Sequence, residues 1–112
     1  MTSPLNTFKT VTRIVTTTEE TVYTAPSGIT SIVLLAQASN ITSNAVDITF
    51  SYFDSNSSTT TELIKDFSVP PNDAAALLTG KLVIESGNSV KCSASANNSF
   101  KLTLSILETL NV

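Results

Sequence analysis

The sharpest pattern in the chain runs from Val46 to Phe53, where Val46, Ile48, Phe50 and Tyr52 alternate with Asp47, Thr49, Ser51 and Phe53. A period of two sends the two sets to opposite faces of an extended strand, so residues 45–54 predict a half-buried β-strand. Asp54-Ser55-Asn56-Ser57-Ser58 reads as a hairpin tip. Residues 59–69 then return, with Leu63, Lys65, Phe67 and Val69 set against Glu62, Ile64, Asp66 and Ser68. The two segments together predict a long antiparallel hairpin.

Upstream, Phe8, Val11, Ile14 and Val15 stand among threonines and basic residues, a β-branched stretch that suits a strand better than a helix. Residues 17–20 turn the chain, and residues 21–25 form a short strand stopped by Pro26-Ser27-Gly28. The next strand, residues 29–38, holds the unbroken run Ile32-Val33-Leu34-Leu35-Ala36. Such a run fits a central strand covered on both faces, the favoured reading, or one edge of an oligomer interface.

Downstream, Pro70 and Pro71 donate nothing to a ladder and force the strand before them to end, so the chain turns a corner there. Asn72 and Asp73 suit a turn or the cap of a helical turn over residues 74–78, a run too short for an independent helix. Leu82 to Ile84 is a short strand, Ser86-Gly87-Asn88 a tight turn, and residues 89–96 alternate Val90, Cys92, Ala94 and Ala96 with serine and lysine. After a turn at Asn97-Asn98-Ser99, Phe100, Leu102, Leu104 and Ile106 mark the buried face of a last strand reaching to about Leu110.

The result is an all-β protein of about seven or eight short strands, an antiparallel two-sheet β-sandwich. The long connection from Val69 to Leu82 suits a chain that switches sheets, as in a jelly roll. Residues 1–7, with Pro4 and no periodicity, read as a flexible N-terminal arm, and residues 8–112 as a single β-sandwich domain.

Composition narrows the chemistry. Ser, Thr and Asn supply over a third of the 112 residues and charged groups only 13%, so small neutral polar groups carry the surface. The net charge of −3 and the scattered Lys9, Arg13, Lys65, Lys81, Lys91 and Lys101 argue against nucleic acid as a partner. No apolar stretch approaches the length of a membrane span, and MTSPLNTFKT has neither the basic nor the apolar region of a secretion signal. With no histidine, the Ser-His and Cys-His arrangements and the commonest zinc ligand are all missing.

Cys92, alone and without a basic partner, reads as a small core residue. Asp47, Asp54, Glu62 and Asp66 lie on one hairpin but at exposed-looking positions, where solubilising and turn roles outweigh glycoside chemistry. Residues 54–58 resemble the start of a calcium loop, yet the central glycine is missing and Lys65 stands where the bidentate acid belongs. Tyr23, Tyr52, Phe53 and Phe67 could in principle stack on sugars, but they alternate as core residues do. No catalytic, cofactor-binding or metal-ligating residue is therefore expected, and no cofactor.

Three stretches carry a family resemblance: Thr21-Val22-Tyr23-Thr24-Ala25-Pro26-Ser27-Gly28-Ile29-Thr30-Ser31-Ile32-Val33-Leu34, then Val69-Pro70-Pro71-Asn72-Asp73, then Leu77-Leu78-Thr79-Gly80-Lys81-Leu82-Val83. In their order and spacing they resemble small virion structural proteins of tailed phages, above all those infecting cyanobacteria, over about Phe8 to Glu108. That family pattern often carries an acidic residue after the glycine of the Glu85-Ser86-Gly87 turn, where this chain has Asn88.

The resemblance implies a non-enzymatic part of a virus particle, made in the host cytoplasm. On this reading the chain is a capsid decoration or cement protein that stabilises the phage head by protein–protein contacts. The alternative is a tail, neck or fibre-associated component, and a carbohydrate-binding module ranks below both. Its partners would be other virion proteins, either the major capsid protein or tail and neck proteins, together with further copies of itself in a homo-oligomer. Leu5 on the arm and Pro70, Pro71, Leu77 and Leu78 at the corner are the candidate contact residues.

Overall fold

The computed structural model describes residues 6–111. Nine strands follow one another: β1 (Asn6–Val15), β2 (Glu20–Thr24), β3 (Ile29–Asn40), β4 (Val46–Asp54), β5 (Thr59–Val69), β6 (Ala74–Ala76), β7 (Leu82–Ile84), β8 (Ser89–Ala94) and β9 (Phe100–Leu110). They form two antiparallel sheets. One has the order β1-β9-β3-β6 with β7 also on β3, and the other β2-β8-β4-β5.

The wiring is that of a jelly roll. The β4–β5 hairpin is the innermost fold of a long strip, in which β3 pairs with β6 and β7, β2 with β8, and β1 with β9. Rolling the strip adds the β3–β9 and β4–β8 pairings that close each sheet. With β6 and β7 taken as one interrupted strand, the count and connectivity match the double Greek key. The all-β sandwich expected from the sequence is the fold observed.

Between the sheets lies a core that includes Val33, Ile48, Phe50, Ile84, Val90, Phe100, Leu102, Leu104 and Ile106. Its two best-ordered rows are the ones written most plainly in the sequence. Ile48 and Phe50 stand opposite Ala94 and Cys92, while Leu102, Leu104 and Ile106 stand opposite Ala38, Ala36 and Val33. Sheet faces that meet in this way interdigitate across about 10 Å.

Turns close where the chain can afford them. Ile29 N–H donates to the Pro26 carbonyl (3.1 Å), with Gly28 at φ 77°, and Asn88 N–H donates to the Glu85 carbonyl (3.0 Å), with Gly87 at φ 87°. Both glycines occupy the place in the turn that requires positive φ.

Several expectations need correction. Asn6 and Thr7, assigned to the arm, are ladder residues of β1 opposite Thr109 and Glu108; the remainder of the arm lies outside the described residues. Ala74–Ala76 is not a helical turn but a strand, because Ser39, Ala38 and Gln37 on β3 offer it an open ladder. The run Ile32–Ala36 is central in its sheet yet covered on one face only. A bulge between Val33 and Leu35 breaks its alternation, leaving Leu34 and Leu35 exposed. In β5 two further bulges place Ile64 and Phe67, which differ in parity, opposite Phe50 and Ile48 on the same face. Asp66 takes φ 48° within one of them, where its N–H is bonded by Thr49 Oγ1 (2.9 Å).

The crossing from β5 to β6 is held by a buried asparagine. The Asn40 amide nitrogen donates to the carbonyls of Asn44 (2.8 Å), Val69 (3.0 Å) and Pro70 (3.2 Å). Its Oδ1 accepts from Thr42 N–H (2.9 Å) and Thr42 Oγ1 (2.8 Å), while Asn40 N–H donates to the Asp73 carbonyl (2.8 Å). Truncating this side chain strands buried carbonyls without donors. Asn40→Ala is expected to cost about 2–4 kcal/mol of stability in urea unfolding, with the midpoint shifted and the slope little changed.

Candidate interaction face

The two sheets differ in what they turn towards solvent. On the β2-β8-β4-β5 sheet the outward row includes Asp47, Thr49, Lys91, Ser93 and Glu62, as the register with inward Ile48, Phe50 and Cys92 requires, with Ser51 covered among them at 1% exposure. Lys91 lies over the Phe53 ring, 4.1 Å from its centre, and so covers a large apolar group of that face. This is an ordinary charged and solvated surface.

The outward face of the other sheet is different. Since Leu102, Leu104 and Ile106 point inward, Lys101, Thr103, Ser105 and Leu107 point out, and the register carries their neighbours with them. One row crosses four strands: Phe8 on β1 stands opposite Leu107 on β9, Leu107 opposite Ile32 on β3, and Ile32 opposite Val83 on β7. Phe8 is 75% exposed and Val83 53%, with Leu107 and Ile32 half-buried between them.

Leu35, 43% exposed, extends the apolar area along β3, and Ile14 reappears at the far end of β1. The remaining outward residues of these strands are mostly Thr, Ser, Ala and Gln; Lys101, opposite Ile14, is their one charge among the described residues. A notch of about 320 Å³ opens beside this face where β6 gives way to β7, lined by Leu34, Leu35, Ala36, Ala76, Leu78 and the backbone turn at Thr79-Gly80-Lys81.

The contact residues expected from the sequence divide. Leu5 lies outside the described residues. Pro70 and Pro71 are exposed at the corner, and Leu78 is half-buried on the wall of the notch. Leu77 is a correction: it is 3% exposed and belongs to the core, drawn in as its N–H bonds the Ala36 carbonyl (2.8 Å) across the gap between β6 and β7. The residues that sequence reasoning missed are Phe8, Ile32, Leu107 and Val83. Their signal lies in pairing across strands rather than in any one stretch.

Chemistry-bearing side chains are locked into structure. Tyr23 donates to a carboxylate oxygen of Glu108 and lies 2.7 Å from Ser31 Oγ, whose hydroxyl is left to donate in return. Lys9 reaches the same carboxylate at 3.4 Å. Burial, then the Glu108 hydrogen bond, push the Tyr23 phenol up to about 12. Burial likewise pushes the Cys92 thiol up to about 12. Tyr52, half-buried, accepts at its hydroxyl from Asn88 (2.9 Å), and the Asn88 Oδ1 accepts from Ser55 N–H (3.0 Å) and Ser55 Oγ (3.1 Å).

Tyr23 and Tyr52 point into the sandwich, whereas Phe53 points out of it under Lys91, so these rings share no sugar-stacking platform. Among the described residues no three His, Cys, Asp or Glu gather as metal ligands. A shallow groove beside Arg13 and Lys101 pairs them only nominally, since Arg13 stands opposite inward Leu102 and Lys101 opposite outward Ile14.

Compared with family models, curated proteins and solved structures, the chain matches none.

Two measurements check the interior assignments. Cys92 is expected to resist Ellman's reagent in the native protein at pH 8 and to react fully in guanidinium. For Tyr23, the unfolded chain loses its phenolic proton near pH 10 while the folded chain keeps it to about 12. Its contribution to stability is therefore complete below pH 10 and falls as pH rises from 10 to 12. Cys92, whose thiol is raised from 9.0 to about 12, loses its contribution over the same range, so denaturant midpoints should fall with pH and flatten between 10 and 12 only when Tyr23→Phe is combined with Cys92→Ala.

Proposed function

We propose that the protein is a non-enzymatic virion structural protein that works by contact, acting as a decoration or cement protein on the head of a tailed phage. The observation that carries the contact reading is the apolar face built on β1, β9, β3 and β7, whose one charge among the described outward strand residues is Lys101 at its end. A row of Phe8, Leu107, Ile32 and Val83 left open to solvent is the composition of an interface core, depleted in charge and rich in large apolar groups.

The virion reading rests on the resemblance spanning Phe8 to Glu108. The jelly-roll wiring supports it as fold-level analogy, since capsid proteins use the same architecture, though fold alone assigns no function. The Asn88 departure leaves the turn intact: its amide binds Tyr52, a hydroxyl that could donate equally well to an aspartate. Repeated copies on a particle convert a modest contact into firm attachment, and the exposed Pro70–Pro71 corner and Leu78 remain available for such contacts.

Immunogold labelling of intact particles with antibody to the chain tests the assignment. Label spread over the head facets is the expected result. Label confined to the tail or neck moves the protein to the alternative site, and particles that carry none of the chain overturn the virion reading.

A further inference from the structure

We infer that the outer face of the β1-β9-β3-β7 sheet is a self-association surface whose occupant is the same face of a second copy of this chain. The inference concerns the isolated protein and does not depend on the virion reading.

Size is the first argument. Three long strands and, along the open side of β3, the short β7 and β6 in turn, spaced about 4.8 Å apart and with outward residues from Lys101 to Thr109 rising about 3.3 Å each, give a face of roughly 19 by 30 Å. Two such faces together cover about 1,100 Å² in projection, before side-chain relief is counted. A specific protein–protein interface needs about 1,200–2,000 Å² in total. No subset of this patch, such as the notch beside Leu78, comes near that size.

Charge is the second. In a two-fold pairing the groups nearest the axis meet their own copies, so an uncharged centre favours a face that pairs with itself. Lys101 stands opposite Ile14 and Ser39, six residues along the ladder from the apolar row, at the end of the face rather than its middle. Lys9, Arg13 and Glu108 are on the inward side of their strands, with Glu108 held by Tyr23 and Lys9. The other sheet, with Asp47, Glu62 and Lys91 on its outward rows, would have to desolvate charges across its middle in the same arrangement.

The edge of β5 is the competing apolar surface, with Leu63 and Phe67 exposed. Its bulges and its neighbours Glu62, Lys65 and Asp66 mark an edge guarded against pairing. Sheet-on-sheet packing through the broad face, in contrast, is the arrangement that already forms the core of each copy.

The test is a concentration series of the full chain by sedimentation velocity. The wild type is expected to be dimeric at micromolar concentration, and Phe8→Asp combined with Val83→Asp to shift dissociation at least tenfold upward. Phe67→Ser on the β5 edge should leave the dimer unchanged.

Hydroxyl-radical footprinting of the wild type at low and high concentration guards against a variant that fails to fold. Labelling of Phe8, Leu35 and Val83 should fall on association while that of Phe67 does not. A chain that stays monomeric at 100-fold higher concentration overturns the inference, as does a dimer that shields Phe67 instead.

Discussion

The fold turns on one crossing. A strip that rolls into a jelly roll must pass from the sheet that holds its innermost hairpin, β4–β5, back to the other sheet, and the chain does so between Val69 and Ala74. Prolines there cannot continue a ladder, and the corner's own backbone closes with a long bond, Asp73 N–H to the Pro70 carbonyl (3.3 Å). Asn40 holds the corner, with one amide nitrogen reaching the carbonyls on both sides of the Val69–Pro70 peptide and the backbone N–H reaching Asp73. Because Asn40 is also the last residue of β3, the strand that pairs with β6, β7 and β9, the same side chain fixes where β6 can begin. The pairing of β3 with β6, β7 and β9 then sets which residues of that sheet face outward.

That register has a consequence for the surface. In an antiparallel sandwich each strand offers one face to the core, and the other is free to be polar. The β2-β8-β4-β5 sheet uses this freedom ordinarily, with Asp47, Glu62 and Lys91 outward. The opposite sheet does not, and the difference comes from single residues on separate strands. Phe8, Ile32, Val83 and Leu107 are each unremarkable where they stand, and only the ladder brings them into one row. Leaving four such groups open to water forfeits hydrophobic free energy that polar residues would not forfeit, at roughly 25 cal/mol per Å² of apolar surface.

Much of the architecture is legible along the chain because its best strands are amphipathic at period two. Val46 to Phe53 and Phe100 to Ile106 declare both strand and buried face, and the turn glycines declare where strands stop. What is illegible has a common physical cause. Bulges after Val33 and within β5 insert residues that reverse parity, so the unbroken Ile32–Ala36 run looks doubly buried when Leu34 and Leu35 face solvent. Ala74–Ala76 has no strand propensity worth the name; it is extended because β3 has an unpaired edge beside it. Leu77 and Leu78 are adjacent and chemically identical, and only the Leu77 bond to Ala36 decides that one enters the core and the other lines the notch. The candidate face was hidden for the same reason, since cross-strand pairing is not a property of any window of sequence.

The reactive groups and the open face are complementary aspects of one design. Cys92, Tyr23 and Glu108 are the side chains best suited to chemistry, and each is committed inside the sandwich: the thiol by burial, the phenol and carboxylate to one another. Burial that raises an acid's pKa suppresses the anion that would act as nucleophile or base, so Cys92 and Tyr23 stay protonated in the folded protein at neutral pH. The outer face of β1, β9, β3 and β7 is a broad surface with Lys101 as its one charge among the described outward strand residues, and the β5 edge of the other sheet carries bulges and charges. A surface of that kind gains its energy from area and exclusion of water rather than from any single group, and its specificity from the register that lines up Phe8 with Val83 across four strands.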